Sequence, residues 1–233
     1  MLNQLSSPPP ADLAGLSNKF KQCVSNRFRK HGKISFIQQL PVGATVLDIG
    51  CGNDSPIKTK MLRPDIRYIG LDVQGHDIDA ANKSYADSYI MVDADSFHLG
   101  ICSVGTVDAV ISSHNIEHCN NPIKVLSAVA EVLRPGGCLY LSTPCAESAK
   151  FPHRKGTLNF YDDVTHHTPV SIELIRASLE PSIELFWVCH RYRPFPFALL
   201  GLVFEPISAV TGRVMKGTWD LYGFETVIWG RKN

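Results

Sequence analysis

Glycines and acids that follow short apolar runs give the first indication of chemistry in this sequence. The stretch "TVLDIGCGNDSP" (45–56) is an apolar run that leads into a turn with two glycines. Such turns commonly cradle a phosphate, as in GxxxxGK[ST], but this one contains no lysine or arginine. The runs "YIGLDV" and "YIMVDA" also end in acids, at Asp72 and Asp93. Acidic run ends suit a ligand that carries hydroxyls, amines or positive charge better than a phosphate.

The spacing of these acids predicts a nucleoside ligand. In nucleotide-binding α/β folds, an acid about 20 residues further along the chain binds the ribose hydroxyls. Asp72 follows Asp48 at close to this distance. A carboxylate at that position accepts hydrogen bonds from both cis hydroxyls. Asp93 or Asp95, after the next run, is placed to accept from the amino group of an adenine.

Histidines and acids are concentrated in two further segments. "SSHNIEH" (112–118) follows an apolar run, and its His114, Glu117 and His118 are candidates for catalysis or for positioning. "FYDDVTHHTPVS" (160–171) allows three interpretations. It is a turn whose Thr168 or Ser171 caps a helix, an active-site loop with a histidine as general base, or a divalent-metal site on Asp163 and one histidine. The spacing fits no specific metal signature, so we predict no metal.

The elements that must position these residues follow from hydrophobic patterning. Apolar runs predict seven strands, and periodic segments predict helices between most of them. The predicted strands are 45–50, 67–73, 89–94, 107–113, 138–144, 182–192 and 224–232; the predicted helices are one or two amphipathic helices within 16–40, then 57–62, about 77–85, 122–133 and 170–180. "RPGG" is expected to end the helix 122–133.

Continuous apolar strands that alternate with helices indicate a parallel sheet covered on both faces. The last two strands lack a helical crossover and suggest an antiparallel edge. We predict a leader with amphipathic helices at 1–40 and one doubly wound α/β domain at 41–233, with an apolar insertion at 193–223. Ligands of such sheets bind beyond the carboxyl ends of the strands, where the acids, glycines and histidines above are placed.

Five motifs resemble, in order and spacing, those of class I S-adenosylmethionine-dependent methyltransferases with a type 11-like domain. They are "VLDIGCG", "YIGLDV", "VDADSF", "VDAVISSHNIEH" and "LRPGGCLYLSTP". The resemblance covers about residues 44–145 well and the remainder only in general layout. It implies a Rossmann-like, three-layer α/β/α fold with a seven-stranded sheet of order 3-2-1-4-5-7-6, strand 7 antiparallel. It also implies S-adenosyl-L-methionine as the cofactor.

The resemblance also implies residue roles. Asp48 would orient the loop and the methionine amino group, the two loop glycines would let the backbone pass close to the cofactor, and Asp72 would bind the ribose diol. The acid and alanine after the third strand would flank the adenine, and the end of the fourth strand would line the methionine side. The predicted cofactor-binding set is Asp48, Gly50, Cys51, Gly52, Asn53, Asp72, Val73, Asp93, Ala94, Ser113 and His114; the catalytic candidates are His114, His118, Asp163, His166 and His167.

Asp54 departs from the family pattern, which has a glycine at this position. We expect Asn53 to adopt a left-handed conformation and Asp54 or Ser55 to cap a short, shifted helix ahead of Pro56. Cofactor binding is expected to survive this change.

The predicted activity is O-methylation of a sugar, a glycan or another small hydroxylated metabolite. A sulfonium methyl group is already activated, so the protein must align the nucleophile and exclude water, and an oxygen nucleophile also needs a base or a metal. The alternatives are an N- or C-methyltransferase on a small metabolite and a non-catalytic cofactor-binding partner subunit. A dehydrogenase is disfavoured because the loop lacks GxGxxG.

Composition narrows the partners and the compartment. The formal charge of +1 argues against a broad surface for nucleic acid, so no nucleic-acid partner is expected. Seven scattered cysteines without a CxxC pair indicate free thiols and a cytoplasmic location, and the N-terminus lacks signal-peptide features. The apolar run 195–203 of the insertion is too short to span a bilayer. The insertion is a helical cover, a substrate lid, a homodimer surface or a peripheral membrane contact.

Overall fold

Seven strands form one sheet in the computed structural model, which describes residues 29–73 and 83–233. The strands are β1 (Thr45–Ile49), β2 (Arg67–Val73), β3 (Ser88–Val92), β4 (Val107–Ser113), β5 (Leu133–Pro144), β6 (Ile183–Cys189) and β7 (Glu225–Lys232). The described α-helices of at least five residues are α1 (Lys33–Gln39), α2 (Ser55–Leu62), α3 (Phe97–Ser103), α4 (Pro122–Val132), α5 (Ile172–Leu179), α6 (Phe195–Thr211) and α7 (Thr218–Tyr222).

The strand order is β3-β2-β1-β4-β5-β7-β6, which confirms the predicted topology. β1 to β5 pair in parallel, and β7 runs antiparallel to both of its neighbours, β5 and β6. The antiparallel strand therefore lies inside the sheet, and β6 forms the edge. Because β1 and β4 are neighbours while β2 and β3 extend the other way, the strand order reverses beside the carboxyl end of β1.

Helices cover both faces of the sheet, as the apolar strands require. Val46 packs on the side of α1, whereas Leu47 and Ile49 pack on the side of α3, α4 and α5. All three side chains are fully buried, which is the pattern of a central parallel strand. Burying a side chain of this size stabilises the fold by roughly 1.5–3 kcal/mol relative to leaving it exposed. The three-layer α/β/α architecture is thus confirmed.

Two element predictions were wrong or incomplete. β5 begins at Leu133 rather than at residue 138, because Leu133 turns into extended backbone and pairs with Val107. "RPGG" therefore lies within an irregular start of the strand, where Arg134 bonds to Asp108 of the neighbouring strand. α3 was not predicted at all, since its short sequence "FHLGICS" buries little more than Phe97 and Ile101.

Parts of two predictions lie outside the described residues. Of the helices predicted within 16–40, the structure describes α1. Residues 1–28 lie outside the described residues. Most of the helix predicted at about 77–85 also falls outside, because residues 74–82 are not described.

The insertion 193–223 contains α6 and α7, which pack closely against each other. A Cβ atom added to Gly201 of α6 would lie 2.1 Å from the carbonyl oxygen of Gly217, so the two backbones approach more closely than any other residue would allow. Within the described residues, no helix combines the length and the apolar content that crossing a bilayer requires.

Candidate active site

The carboxyl ends of β1, β2 and β4 open onto a cavity of about 560 Å³. It brings together six predicted cofactor residues and four of the catalytic candidates, His114 belonging to both sets, with Thr165 and Asn115 beside them. The predicted residues that line it are Gly50, Gly52, Asp72, Val73, Ala94, His114, His118, Asp163 and His167. The site therefore lies where the strand order reverses, as expected for a ligand of an open α/β sheet.

Other predicted residues lie around this cavity rather than on its lining. Cys51 and Asn53 line a neighbouring cavity of about 600 Å³ between α1 and α2. Ser113 lines a third cavity of about 310 Å³, and Asp93 is exposed beside Ala94. The side chain of His166 is 4% exposed and packs behind the cavity wall.

The glycine loop depends on two left-handed residues. Gly50 has a φ of 63° and Gly52 a φ of 59°, a region that favours glycine. A Cβ atom at Gly50 would also lie 2.2 Å from the side-chain oxygen of Asn115, so the loop packs directly on the segment after β4. The prediction that Asn53 is left-handed was wrong, because Gly52 makes the turn instead.

Asp54 occupies the position before α2, but the predicted capping role is wrong. Neither its side chain nor that of Ser55 accepts a capping hydrogen bond from the helix backbone. Asp54 forms an ion pair with Lys58 one turn along, at 2.8 Å, and the Ser55 hydroxyl donates to Asp48. The short helix that starts at Ser55 agrees with the predicted shift.

Asp72 ties the loop to the end of β2. One of its carboxylate oxygens accepts the Gly52 N–H at 2.7 Å and the other accepts the Val73 N–H at 2.8 Å. Each carboxylate oxygen has a second acceptor site, so this buried acid can still bind two hydroxyls. Its position suits a ribose diol.

Asp48 has one saturated and one unpartnered oxygen. Oδ2 accepts hydrogen bonds from Lys33 at 2.9 Å, from Tyr68 at 2.8 Å and from Ser55. Oδ1 is buried and has no partner. An orphaned buried acceptor is costly unless a ligand donates to it, and the ammonium of a methionine moiety is such a donor. The residues present therefore fit S-adenosylmethionine.

The residues that sequence reasoning missed here come from distant segments. Lys33 and Glu225 lie in segments that were predicted only as a helix within 16–40 and a strand at 224–232, and no motif marks either residue. Asn115 was not assigned a role, although its place directly after β4 indicates one.

His114 is held between two carboxylates in a left-handed conformation, with a φ of 51°. Its Nδ1 lies 3.2 Å from Glu117 and its Nε2 lies 2.7 Å from Glu225. Burial lowers the pKa of His114, but the hydrogen bonds to Glu117 and Glu225 outweigh burial and raise that pKa to about 10. His114 is therefore an imidazolium at neutral pH that donates from both nitrogens, and it has no free lone pair with which to accept a proton.

His118 has the opposite properties. The Thr165 hydroxyl donates to Asp163 at 2.6 Å, so its oxygen accepts from His118 Nδ1 at 2.9 Å. This assigns the proton to Nδ1 and leaves the lone pair on Nε2. Burial lowers the pKa of His118, which keeps the ring neutral at neutral pH. A neutral histidine in a fixed tautomer at a ligand cavity is equipped to act as a general base.

Some of the remaining residues of the 160–171 segment stabilise its turn or cap a helix, and others lie at or near the cavity. Asp162 accepts three backbone N–H groups and completes a capping box with Asn159, so it organises the turn. Ser171 caps α5, as one interpretation predicted. The Nδ1 atom of His166 lies 2.6 Å from the carbonyl oxygen of Phe160, and the exposed His167 is among the residues that line the cavity.

One group of potential metal ligands lies within the described residues. Glu117, His118 and His166 each offer a ligand atom, and these atoms lie within 4.8 Å of one another. Two histidines and a carboxylate are a donor set that zinc accepts. However, the Glu117 carboxylate is already bonded to the His114 imidazolium and to Thr143, so its charge is compensated without a metal ion.

Comparisons of the sequence with known proteins also indicate a methyltransferase domain. A family model described as a methyltransferase domain matches residues 47–141. The ubiquinone biosynthesis O-methyltransferase of Xanthomonas axonopodis pv. citri is 32% identical over 106 residues, which are 44% of each chain. The present chain thus spans less than half the length of this curated relative.

Solved structures show the same fold across nearly the whole chain. A SAM-dependent methyltransferase from Archaeoglobus fulgidus superimposes with a TM-score of 0.51 at 20% identity, over 95% of this chain and 100% of the other. The plantazolicin methyltransferase BamL, solved with SAH, gives a TM-score of 0.58 at 17% identity, over 94% and 92%. Residues 47–141 therefore match a methyltransferase domain, and the chain has the fold of these S-adenosylmethionine-dependent methyltransferases of known structure.

Proposed function

We propose that this protein methylates a hydroxyl group of a small molecule, sugar or glycan, with His118 as the general base. The observation that carries this proposal is the fixed tautomer of His118 on the wall of the cavity that also contains Gly50, Gly52 and Asp72. A hydroxyl, unlike an amine, must lose a proton during methyl transfer, so a neutral histidine at this position has a clear use.

Different predicted residues bind different parts of the cofactor. Asp72 receives the ribose hydroxyls, Ala94 and Asp93 adjoin the adenine, and the free oxygen of Asp48 receives the methionine ammonium. Lys33, whose ammonium lies 2.9 Å from the other Asp48 oxygen, is placed to attract the methionine carboxylate. When bound, S-adenosylmethionine supplies an activated methyl group on a sulfonium.

The histidines then have different roles in the proposed reaction. His118 accepts the acceptor's hydroxyl proton at Nε2, while Thr165 and Asp163 hold its ring in place. The developing imidazolium is stabilised by the Asp163 carboxylate through the Thr165 hydroxyl. His114 is a positioning residue, because its two hydrogen bonds fix Glu117 and Glu225 at the ends of β4 and β7. His167 is available to contact the acceptor.

The O-methyltransferase named among the curated relatives supports oxygen as the acceptor atom. Among its lining residues the site offers carboxylates, histidines and the Thr165 hydroxyl, which can hydrogen-bond a hydroxylated acceptor. An N- or C-methyltransferase and a non-catalytic cofactor-binding subunit stay as the alternatives, since neither requires the base that His118 provides.

A pH–rate profile of His118→Gln tests the proposal. A general base contributes about 10²–10⁴-fold, so we expect kcat on a panel of hydroxylated acceptors to fall by that factor while affinity for S-adenosylhomocysteine stays within about twofold. In the wild-type enzyme, activity should rise with pH through a pKa below the usual 6.5 of histidine, because only neutral His118 accepts a proton. The variant should lose this acidic limb.

His98→Gln is the matched control, because His98 lies on α3 and outside the lining of the cavity. An unchanged rate and acidic limb in His118→Gln would contradict the proposed base and favour an amine or carbon acceptor. Cofactor binding without turnover of any acceptor would favour the partner-subunit alternative.

A further inference from the structure

The outer face of α6 is apolar and exposed. Six of the fourteen large apolar side chains that are exposed in the described residues lie on this one helix. They are Phe195, Leu199, Leu202, Val203, Ile207 and Val210, with exposed fractions from 48% to 89%. Their spacing of one, three or four residues puts them on one side of the helix. A continuous apolar face of this kind on a folded protein marks an interaction surface.

The fold does not account for this face, because α6 uses its other side to pack. Gly201 and Ser208, the buried residues of α6, face α7 and Arg213 respectively. Glu205 is the helix's sole ionisable residue, and it bonds to Arg154 and Tyr222 on the inner side. The outer face therefore presents apolar groups without an ionised side chain among them.

Basic residues flank α6 at both of its ends. Arg193 precedes α6, and Arg213 and Lys216 follow it; all three are exposed. Lys155 is also exposed, and its backbone is hydrogen-bonded to Gly212 and Val214 beside Arg213. The nearby acid Asp220 is buried and paired with Arg29, so it does not neutralise this surface.

We propose that α6 and these four basic residues, the α6 surface, bind the surface of an anionic phospholipid bilayer. A helix that exposes an apolar face can lie in the membrane interface with that face among the acyl chains, while the cations that flank it contact anionic headgroups. A second copy of the chain fits less well. Two α6 helices paired side by side would bring basic ends together in either orientation, and this repulsion opposes a dimer.

The α6 surface is physically joined to the candidate active site. Trp219 of α7 lies 5.5 Å from His114, centroid to centroid, and its indole N–H donates to the carbonyl of Thr157 at 2.8 Å. Thr157 leads directly into the segment that carries Asp163 and His167. A protein bound to a bilayer through α6 therefore holds its acceptor site close to that bilayer.

Co-sedimentation with vesicles tests this proposal in the full chain. We expect the wild-type protein to sediment with mixed phosphatidylcholine–phosphatidylglycerol vesicles and to bind pure phosphatidylcholine vesicles more weakly. Leu199→Gln with Val203→Gln should weaken binding about tenfold or more for each side chain removed from the apolar face. Arg213→Gln with Lys216→Gln should weaken binding to the anionic vesicles about fivefold for each charge, and added salt should do the same.

Val42→Gln is the matched control, because Val42 is 89% exposed but lies in the turn between α1 and β1. It should bind vesicles like the wild type, and circular dichroism should show that every variant folds. A wild-type protein that stays in the supernatant with both vesicle types would overturn the proposal. A second result would also overturn it: light scattering shows a wild-type dimer that Leu199→Gln with Val203→Gln converts to a monomer, and the wild type binds no vesicles.

Discussion

The two histidines of "HNIEH" have the same side chain and opposite proton chemistry. His114 meets two carboxylates, which hold a proton on each of its nitrogens. His118 meets one hydroxyl that is itself committed to Asp163, so it keeps a free lone pair. The sequence predicted both residues as catalytic candidates, but it could not show Glu225, which lies 111 residues beyond His114. Only folding brings that carboxylate into the site.

Replacing His114 should destabilise the protein. His114→Ala leaves the fully buried Glu117 carboxylate without its cation, whereas Glu225 keeps Arg29 at 4.0 Å, so we expect a loss at or below the about 3–5 kcal/mol that breaking a buried pair costs. Because the folded-state pKa of His114 is about 10, above the usual 6.5, the stability it contributes is fully present below pH 6.5 and is lost as pH rises through 10. Urea unfolding of both proteins across this range measures the effect. If the difference in unfolding free energy between the wild type and His114→Ala grew with pH, it would contradict this account.

At the scale of elements, strands were the most predictable features. β2 and β4 match the predicted ranges at both ends, since continuous apolar runs fit only buried strands. The start of β5 was missed because proline and glycine normally interrupt a strand, whereas here the pairing of Leu133 with Val107 overrides that preference. α3 was missed because contacts of Phe97 and Ile101 with the sheet stabilise it, rather than any strong helical pattern.

The glycine loop gives a prediction at this scale. Gly50→Ala and Gly52→Ala both introduce a side chain at a left-handed residue, which costs about 1–2 kcal/mol. Gly50→Ala should cost at least about 1 kcal/mol more, because its Cβ atom would collide with Asn115, whereas a Cβ atom at Gly52 meets nothing within 4 Å. Urea denaturation of the ligand-free protein compares the two variants. Equal losses would show that Asn115 moves aside freely.

For the whole molecule, patterning sufficed to predict a doubly wound sheet and the edge of the sheet at which the candidate cavity opens. The predicted order 3-2-1-4-5-7-6 came from the resemblance to a family, and the structure has it. Contacts between separate segments could not be predicted, because no sequence motif links the segments involved. These contacts are Lys33 with Asp48, Glu225 with His114, and α7 with the site. The sequence motifs lie along the proposed cofactor site, so they carry less information about the acceptor than about the cofactor.

Calorimetric binding of S-adenosylhomocysteine to the wild-type protein and to Asp72→Ala tests the central claim most directly, because the cofactor site underlies the proposed reaction. We predict binding by the wild type and a loss of about 10–100-fold in Asp72→Ala, since the ribose would lose hydrogen bonds to a charged acceptor. Asp54→Ala, which removes an exposed acid paired with Lys58, should bind like the wild type. No binding by the wild type, or equal binding by Asp72→Ala, would contradict the account.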